Sequence, residues 1–330
     1  RGGVFAQIIG TLELLKPDER KLIKGIIINR FRGDISLFDE GKKWIEEKTK
    51  IPILGILPCL KENFPPEDSL DLLDRKSTNG NPEIEVGIIK FPSISNFSDL
   101  DPLENEEGIK LSWVKNSQNL DKFDLIILPG SKQTIKDIKF LKETGLIKCI
   151  LNYSERNGNI LGICGGLQML GEYLEDPHSK EGLEYVHKKS IKGIGILPLK
   201  TIFQNTKTTK RIICDATWPC DTKIEGFEIH NGVTEPIKKQ GEKFLNDIFK
   251  QNKLGWYLDN KEKGLIAGTY VHGIFDNDQW RINFLNLIRV KRGIQILDKK
   301  IIPYKIKREA IIINLANQFK KHINIESLLN

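Results

Sequence analysis

The sequence predicts an α/β protein with a mostly parallel sheet covered by helices on both faces, and three observations carry the expectation. Short runs rich in Ile, Val and Leu recur along the chain. Amphipathic stretches separate them, and Gly or Pro closes several of them. Strands buried on both faces read as continuous apolar runs, which is the pattern of parallel sheets. In order, the runs are "KGIIINR" (24–30), "IPILGILP" (51–58), "IEVGIIKFP" (84–92), "FDLIILPG" (123–130), "NILGIC" (159–164) and "LIAGTYVHG" (265–273). The first of these has a helical stretch on either side. The last forty residues carry helical spacing at Ile312, Leu315, Ala316 and Phe319, which predicts a helix packed back on the second domain.

Domain organisation follows from composition along the chain. The segment 61–82, "KENFPPEDSLDLLDRKSTNGNP", combines a Pro-Pro pair, mixed charge and an Asn-Gly-Asn-Pro turn signal. Residues 1–75 are therefore expected to form one part, 76–82 a linker, and 83–330 a second domain with a helical tail. With only two clear strands, the first part reads as the end of something larger.

Composition excludes several classes. A hydrophobic content of 39% and a charged content of 29% are those of an ordinary globular protein. No apolar run reaches the roughly 20 residues of a membrane span. The opening "RGGVFAQIIG" does not make a signal peptide, so a cytoplasmic location is expected. Five scattered cysteines include no C-x-x-C pair, which argues against a disulfide framework and against a cysteine metal site. The net charge of +7 is carried mostly by dispersed lysines without a nucleic-acid motif. Small-molecule partners are expected, with no nucleic acid and no membrane; a homo-oligomer is compatible with the sequence.

Chemistry concentrates around Cys164. Gly162-Ile163-Cys164-Gly165-Gly166 has the G-x-nucleophile-x-G form of a strand-to-helix elbow, with "NIL" as the strand and "LQMLGEYL" as the helix. A helix N-terminus stabilises a thiolate, so the turn suits a nucleophile. A buried structural cysteine at a glycine-rich turn is the competing reading. Among the five histidines, those at 178, 187 and 322 lie in polar or charged surroundings. His272 follows an apolar strand, at the end where ligands collect in open α/β sheets. His230, after "IEGFEI", is a second candidate of similar placement. A third element, "LPGSKQT" (128–134), ends a strand in a turn whose N–H groups are suited to an oxyanion hole.

Together "DLIILPGSKQT", "GNILGICGGLQMLG" and "GTYVHGIFDND" resemble the class I glutamine amidotransferases with a cysteine nucleophile. Adding "RGGVFAQIIGTLELL", "GIIINRFRGD", "PILGILP", "FPSISNFSDLDPL", "GIGILPLKT", "GFEIHNG" and "FDNDQWR" makes the chain similar, nearly end to end, to the cobyric acid synthase family. The resemblance implies a flavodoxin-like amidotransferase domain preceded by the C-terminal part of a P-loop, dethiobiotin-synthetase-like domain. It also implies glutamine- and ATP-dependent amidation of the b, d, e and g carboxylates of adenosylcobyrinic acid a,c-diamide, a corrinoid, to adenosylcobyric acid.

On this resemblance Cys164 falls on the nucleophile and His272 on the catalytic histidine. Gly130 and Gly165 are the oxyanion-hole candidates, Lys207 and His230 substrate contacts, and Asn29 an adenine contact. Glutamine is the co-substrate, with ATP and Mg2+ for the complete enzyme. Two departures stand out. His272-Gly273-Ile274 lacks the His-x-Glu acid of most triad amidotransferases, as the cobyric acid synthase branch generally does, and no G-x-x-x-x-G-K-[ST] phosphate loop is present. The chain is therefore expected to be an N-terminally truncated form, with Arg1, Gly2 and Gly3 bordering the missing phosphate region. Cobyrinate a,c-diamide synthase and the peptidoglycan-precursor amidotransferase subunit are the nearest alternatives. An inactive glutaminase-like binding module is the alternative of another class.

Overall fold

The computed structural model describes residues 3–60, 82–181, 190–237, 245–251, 253–258, 264–297 and 302–326. The chain divides into two units, Arg1–Phe64 with Lys305–Asn330, and Pro65–Tyr304.

In the first unit, helix α1 (Val4–Leu14) precedes strand β1 (Ile26–Phe31), and helix α2 (Asp39–Thr49) leads to β2 (Ile53–Pro58). The two strands pair in parallel with Ile28 opposite Ile56, giving the predicted pair of strands with a helix on each side of the first. Ile28, Phe38, Ile45, Ile53 and Ile56 form a small core of their own. The C-terminal helix corrects an expectation, because residues 305–330 group with this unit and not with the second domain. Asn324 donates its N–H to Leu54 O at 2.8 Å, and Ile323 bridges Gly55. The reason lies in the edge of β2, where only a glycine lets His322 O come so close; a Cβ at Gly55 would lie 2.4 Å from it. Ile312, predicted to be apolar contact, remains 47% exposed. Of the expected linker, residues 76–81 lie outside the described residues, as do Arg1 and Gly2.

The second unit is built on a seven-stranded sheet. Its parallel strands are β3 (Ile84–Ile89), β4 (Ile109–Val114), β5 (Leu125–Leu128), β6 (Ile160–Ile163) and β11 (Ile266–Thr269). Between β5 and β6 run helices α3 (Thr134–Glu143) and α4 (Leu146–Glu155), and α5 (Gly165–Leu170) follows β6. A second sheet is dominated by the long antiparallel pair β7 (Leu199–Ala216) and β8 (Thr222–Pro236). Short strands β9 (Leu245–Asp247) and β10 (Gly255–Leu258) add an antiparallel edge to the main sheet, giving the order β9-β10-β11-β6-β5-β3-β4. Helix α6 (Asp278–Arg292) follows β11. Every residue of β5, β6 and β11 is buried, as the continuous apolar runs predict.

Two local expectations are corrected. The helix predicted over "LQMLGEYL" stops at Leu170, and Tyr173–Glu175 pairs with β7 as a strand. Gly171 takes extended backbone there, with Leu199 O so near that a Cβ would lie 2.8 Å from it. His230 does not end a strand of the parallel sheet. It lies within β8, opposite Thr208 of β7.

Candidate active site

The site forms where β5, β6 and β11 end. Cys164 caps α5 with φ 50° and ψ −107°, a conformation that non-glycine residues rarely adopt and that nearby structure must hold in place. Its N–H bonds Thr269 O at 2.7 Å, and its carbonyl accepts the Gln168 N–H at 3.0 Å. The flanking glycines make the turn sterically possible. A Cβ on Gly166 would fall 1.9 Å from Leu128 O, and one on Gly162 would fall 2.6 Å from Leu167 N. Both obstacles are backbone atoms, which cannot swing aside. Gly166→Ala is therefore expected to lower unfolding stability by about 1–3 kcal/mol, which a urea titration of the variant beside the wild type measures; an unshifted midpoint would show that α5 can move away from β5.

Cys164 is only 5% exposed. Its thiol donates to Ile229 O at 3.3 Å, and its side chain acts on the His272 ring to raise that ring's pKa. His272, three residues beyond β11, is fixed by exchanging backbone hydrogen bonds with Phe227, N to O at 2.9 Å and O to N at 3.2 Å. Its ring stacks on the Phe227 ring, with centroids 5.2 Å apart.

One ring nitrogen meets the residue that sequence reasoning left unnamed. His272 Nδ1 lies 2.7 Å from Asp99 Oδ2, and Asp99 Oδ1 accepts the Gly273 N–H at 2.8 Å. Asp99 sits in the 3₁₀ turn Phe97–Leu100, only 1% exposed and 173 positions before His272. The structure thus contains a Cys–His–Asp arrangement in which the acid comes from "SNFSDLDPL" and not from the residues just after the histidine. The one local signal was an aspartate among small polar residues in a segment leading to a short helix, which many turns share.

Burial alone would lower the His272 pKa. Hydrogen bonds and charge from Asp99 and Cys164 outweigh it and raise the value to about 10. Such a ring is protonated at neutral pH and can give a proton to a neighbouring group.

The two predicted oxyanion glycines both border this centre. Gly130 begins the short strand Gly130–Ser131, which pairs with Ile94–Ser95. A Cβ there would lie 3.3 Å from His272 Cε1. A Cβ on Gly165 would lie 2.8 Å from Ser131 N, so the two turns approach closely. The Gly130 turn is tied to α3, since Ser131 Oγ donates to Asp137 Oδ2 at 2.6 Å while Asp137 Oδ1 accepts the Ser93 N–H at 3.1 Å.

A cavity of about 310 Å3 opens over the sulfur, and Cys164, Gln168, Glu181, Lys207, His230 and Asn231 are among its lining residues. That volume lies at the lower end of ordinary small-ligand sites. Lys207 reaches it from an irregularity in β7: between the pairs Phe203–Gly232 and Thr208–His230, residues 204–207 oppose Asn231 alone. Bulges of this kind re-aim side chains beside sites. His230 is held by its neighbours, with Nδ1 2.7 Å from Gly232 O, Nε2 3.1 Å from Glu228 Oε2 and its ring stacked on Tyr270. Burial would raise the Glu228 carboxyl, but bonds from His230 and Lys210 bring it below its ordinary value. His230 thus lines the cavity with both ring nitrogens held. Behind the sulfur, Gln168 accepts from Thr134 Oγ1 at 3.0 Å and donates to the Tyr270 hydroxyl at 3.1 Å. Asn29 is exposed near the end of β1, and its Oδ1 accepts the Arg30 N–H at 2.8 Å.

Comparison with known proteins decides the family. Residues 85–280 match the CobB/CobQ-like glutamine amidotransferase domain. The chain belongs to this family. Over 330 residues it is 64% identical to the cobyric acid synthase of Prochlorococcus marinus strain AS9601, and over 331 residues 65% identical to that of strain MIT 9515. Identity to the cobyric acid synthase of strain NATL2A is 51% over 329 residues. In each case all of this chain aligns, and it spans 65% of the relative's length. The Cys164, His272 and Asp99 cluster lies within the amidotransferase domain. Among the described residues of this amidotransferase, no helix is long and apolar enough to cross a membrane.

Proposed function

We propose that this chain supplies ammonia from glutamine for a cobyric acid synthase, which amidates the b, d, e and g carboxylates of adenosylcobyrinic acid a,c-diamide. The observation that carries the glutaminase reading is His272 held by buried Asp99 through Nδ1 while the Cys164 side chain acts on the same ring. The corrinoid substrate is supported by the identity to relatives named cobyric acid synthase.

In this reading the Cys164 thiolate attacks the glutamine side-chain carbonyl carbon. Backbone N–H groups at Gly130 and Gly165 receive the developing oxyanion. The His272 imidazolium gives its proton to the nitrogen, the C–N bond breaks, and ammonia leaves a glutamyl thioester. Water then attacks the thioester carbon as His272 takes a proton. The C–S bond breaks, glutamate departs and the thiolate is restored. Asp99 holds the ring in position through both halves.

ATP, with Mg2+, would activate the corrinoid carboxylates. The sequence has no G-x-x-x-x-G-K-[ST] phosphate loop, and among the described residues exposed Asn29, whose Oδ1 accepts the Arg30 N–H, keeps its amide N–H groups for an adenine contact. We place ATP use with the part of the relatives' length that this chain does not span.

The direct test is amide formation by the gene product carrying this chain, supplied with cobyrinic acid a,c-diamide, ATP and either glutamine or ammonia. Mass spectrometry should show successive amides with both donors. Product from neither donor would overturn the corrinoid assignment. Lys207 is proposed to bind the glutamine α-carboxylate. Losing one such charge-assisted contact costs about 1.5–3 kcal/mol, so Lys207→Met should raise the glutamine KM roughly 10- to 100-fold with a smaller effect on kcat. An unchanged KM would remove Lys207 from the site.

A further inference from the structure

An α-amino acid bears two opposite charges. The glutaminase reading, on which the following inference rests, gives a basic partner only to the carboxylate. The cavity over Cys164 is lined by Lys132, Lys207 and His230 on the basic side, and among its lining residues Glu181 is the single carboxylate. We infer that Glu181 receives the α-ammonium of glutamine and so selects α-amino acids over amides that lack that charge.

Three placements support the assignment. Glu181 lines both the cavity over the sulfur and an adjoining one of about 510 Å3, which also includes Lys132 and Asn231. It therefore stands where the two cavities meet. Its own position is fixed, since its N–H donates to Asp176 Oδ2 at 2.8 Å and its Oε2 accepts the Ile135 N–H at 3.4 Å, at the start of α3. Among the described residues no cation pairs with it, although Lys132, Lys136, Lys139 and Lys180 share the adjoining cavity.

The electrostatics point the same way. Burial raises the Glu181 carboxyl to about 7, and the Asp176 and Asp137 carboxylates add to the effect against the N–H groups of Ile135 and Thr134. A carboxylate in such surroundings gains more from an arriving ammonium than one already paired. The ligand charge would complete the polar environment that the protein leaves open at this position.

The test compares glutamine with glutaramate, the same amide without the α-amino group, as substrates for hydrolysis by the gene product carrying this chain. Wild type should favour glutamine, and Glu181→Gln should reduce the ratio of the two kcat/KM values by about 10- to 100-fold, the size expected for one lost charge-assisted contact. Glu181→Asp should recover part of the ratio. Because both substrates need the same thiol and the same folded turn, a merely structural role for Glu181 would lower both rates and leave the ratio in place. An unchanged ratio in Glu181→Gln overturns the inference while glutamine hydrolysis by wild type still stands. A wild type that hydrolyses no glutamine, yet whose Cys164 is alkylated by iodoacetamide, overturns the glutaminase reading and this inference with it.

Discussion

Cys164→Ser should abolish glutamine-supported amidation while leaving most of the ammonia-supported reaction. The expected loss with glutamine is about 10³-fold or more, because residues that act as one nucleophilic unit fail together when the nucleophile is removed. Serine keeps the size of the side chain, and it can occupy the turn at φ 50° as the cysteine does. What it lacks is a readily formed anion. In thiol chemistry the anion is the nucleophile, and a serine hydroxyl forms one far less readily than a cysteine thiol does. Ammonia bypasses this centre, so its use reports on everything else. Comparable glutamine use by both forms would show that Cys164 is not the nucleophile.

The second large effect is expected at Asp99→Asn. This near-isosteric change keeps an oxygen for the Gly273 N–H but removes the charge that faces His272 Nδ1. By analogy with the loss of an orienting aspartate in other nucleophilic triads, glutamine hydrolysis should fall by about 10²- to 10⁴-fold. The pH behaviour supplies a separate reading. His272 is raised from 6.5 to about 10, so its protonated form is the one that the fold favours. The stability it contributes is complete below the unfolded value of 6.5 and is lost as pH rises through about 10. Without the Asp99 charge, burial pulls the value down against Cys164 alone. The alkaline edge of activity, and the titration of the His272 ring followed by NMR, should both move to lower pH. An unaltered titration together with unaltered turnover would show that Asp99 is a packing contact only.

Cys164 and its turn are legible in the sequence because every requirement is local. A buried strand, two small residues and a short helix lie within about a dozen positions, and each has a compositional mark. His272 is legible for a similar reason, since it follows a strand that declares itself. Asp99 is not, because nothing within its own segment distinguishes it from Asp101 two residues later. Only the pairing of β3 with β5, and the return of β11 beside β6, bring its turn against the histidine.

The same distinction explains the corrections. The helix after Cys164 is shorter than its apolar spacing suggests because Gly171 must pass Leu199 O, a neighbour 28 positions away. His230 looks like a strand-end histidine in "GFEIHNG", yet pairing with β7 places it midway along β8. The C-terminal helix follows its own spacing, but the backbone edge that receives the following residues is set at Gly55. Local propensity is readable from the chain, whereas the partner of each element depends on contacts far away in sequence.

The 173-position separation of Asp99 from His272 has a consequence for the life of the protein before it is finished. During synthesis the acid emerges well ahead of the thiol, and the histidine comes last of the three. Their meeting requires the central strands to have closed in order, a non-local and therefore late event. A nascent chain, or one cut between these segments, carries an ordinary cysteine without its proton partner. In the proposed reading, glutamine breakdown would therefore wait until all three segments have come together.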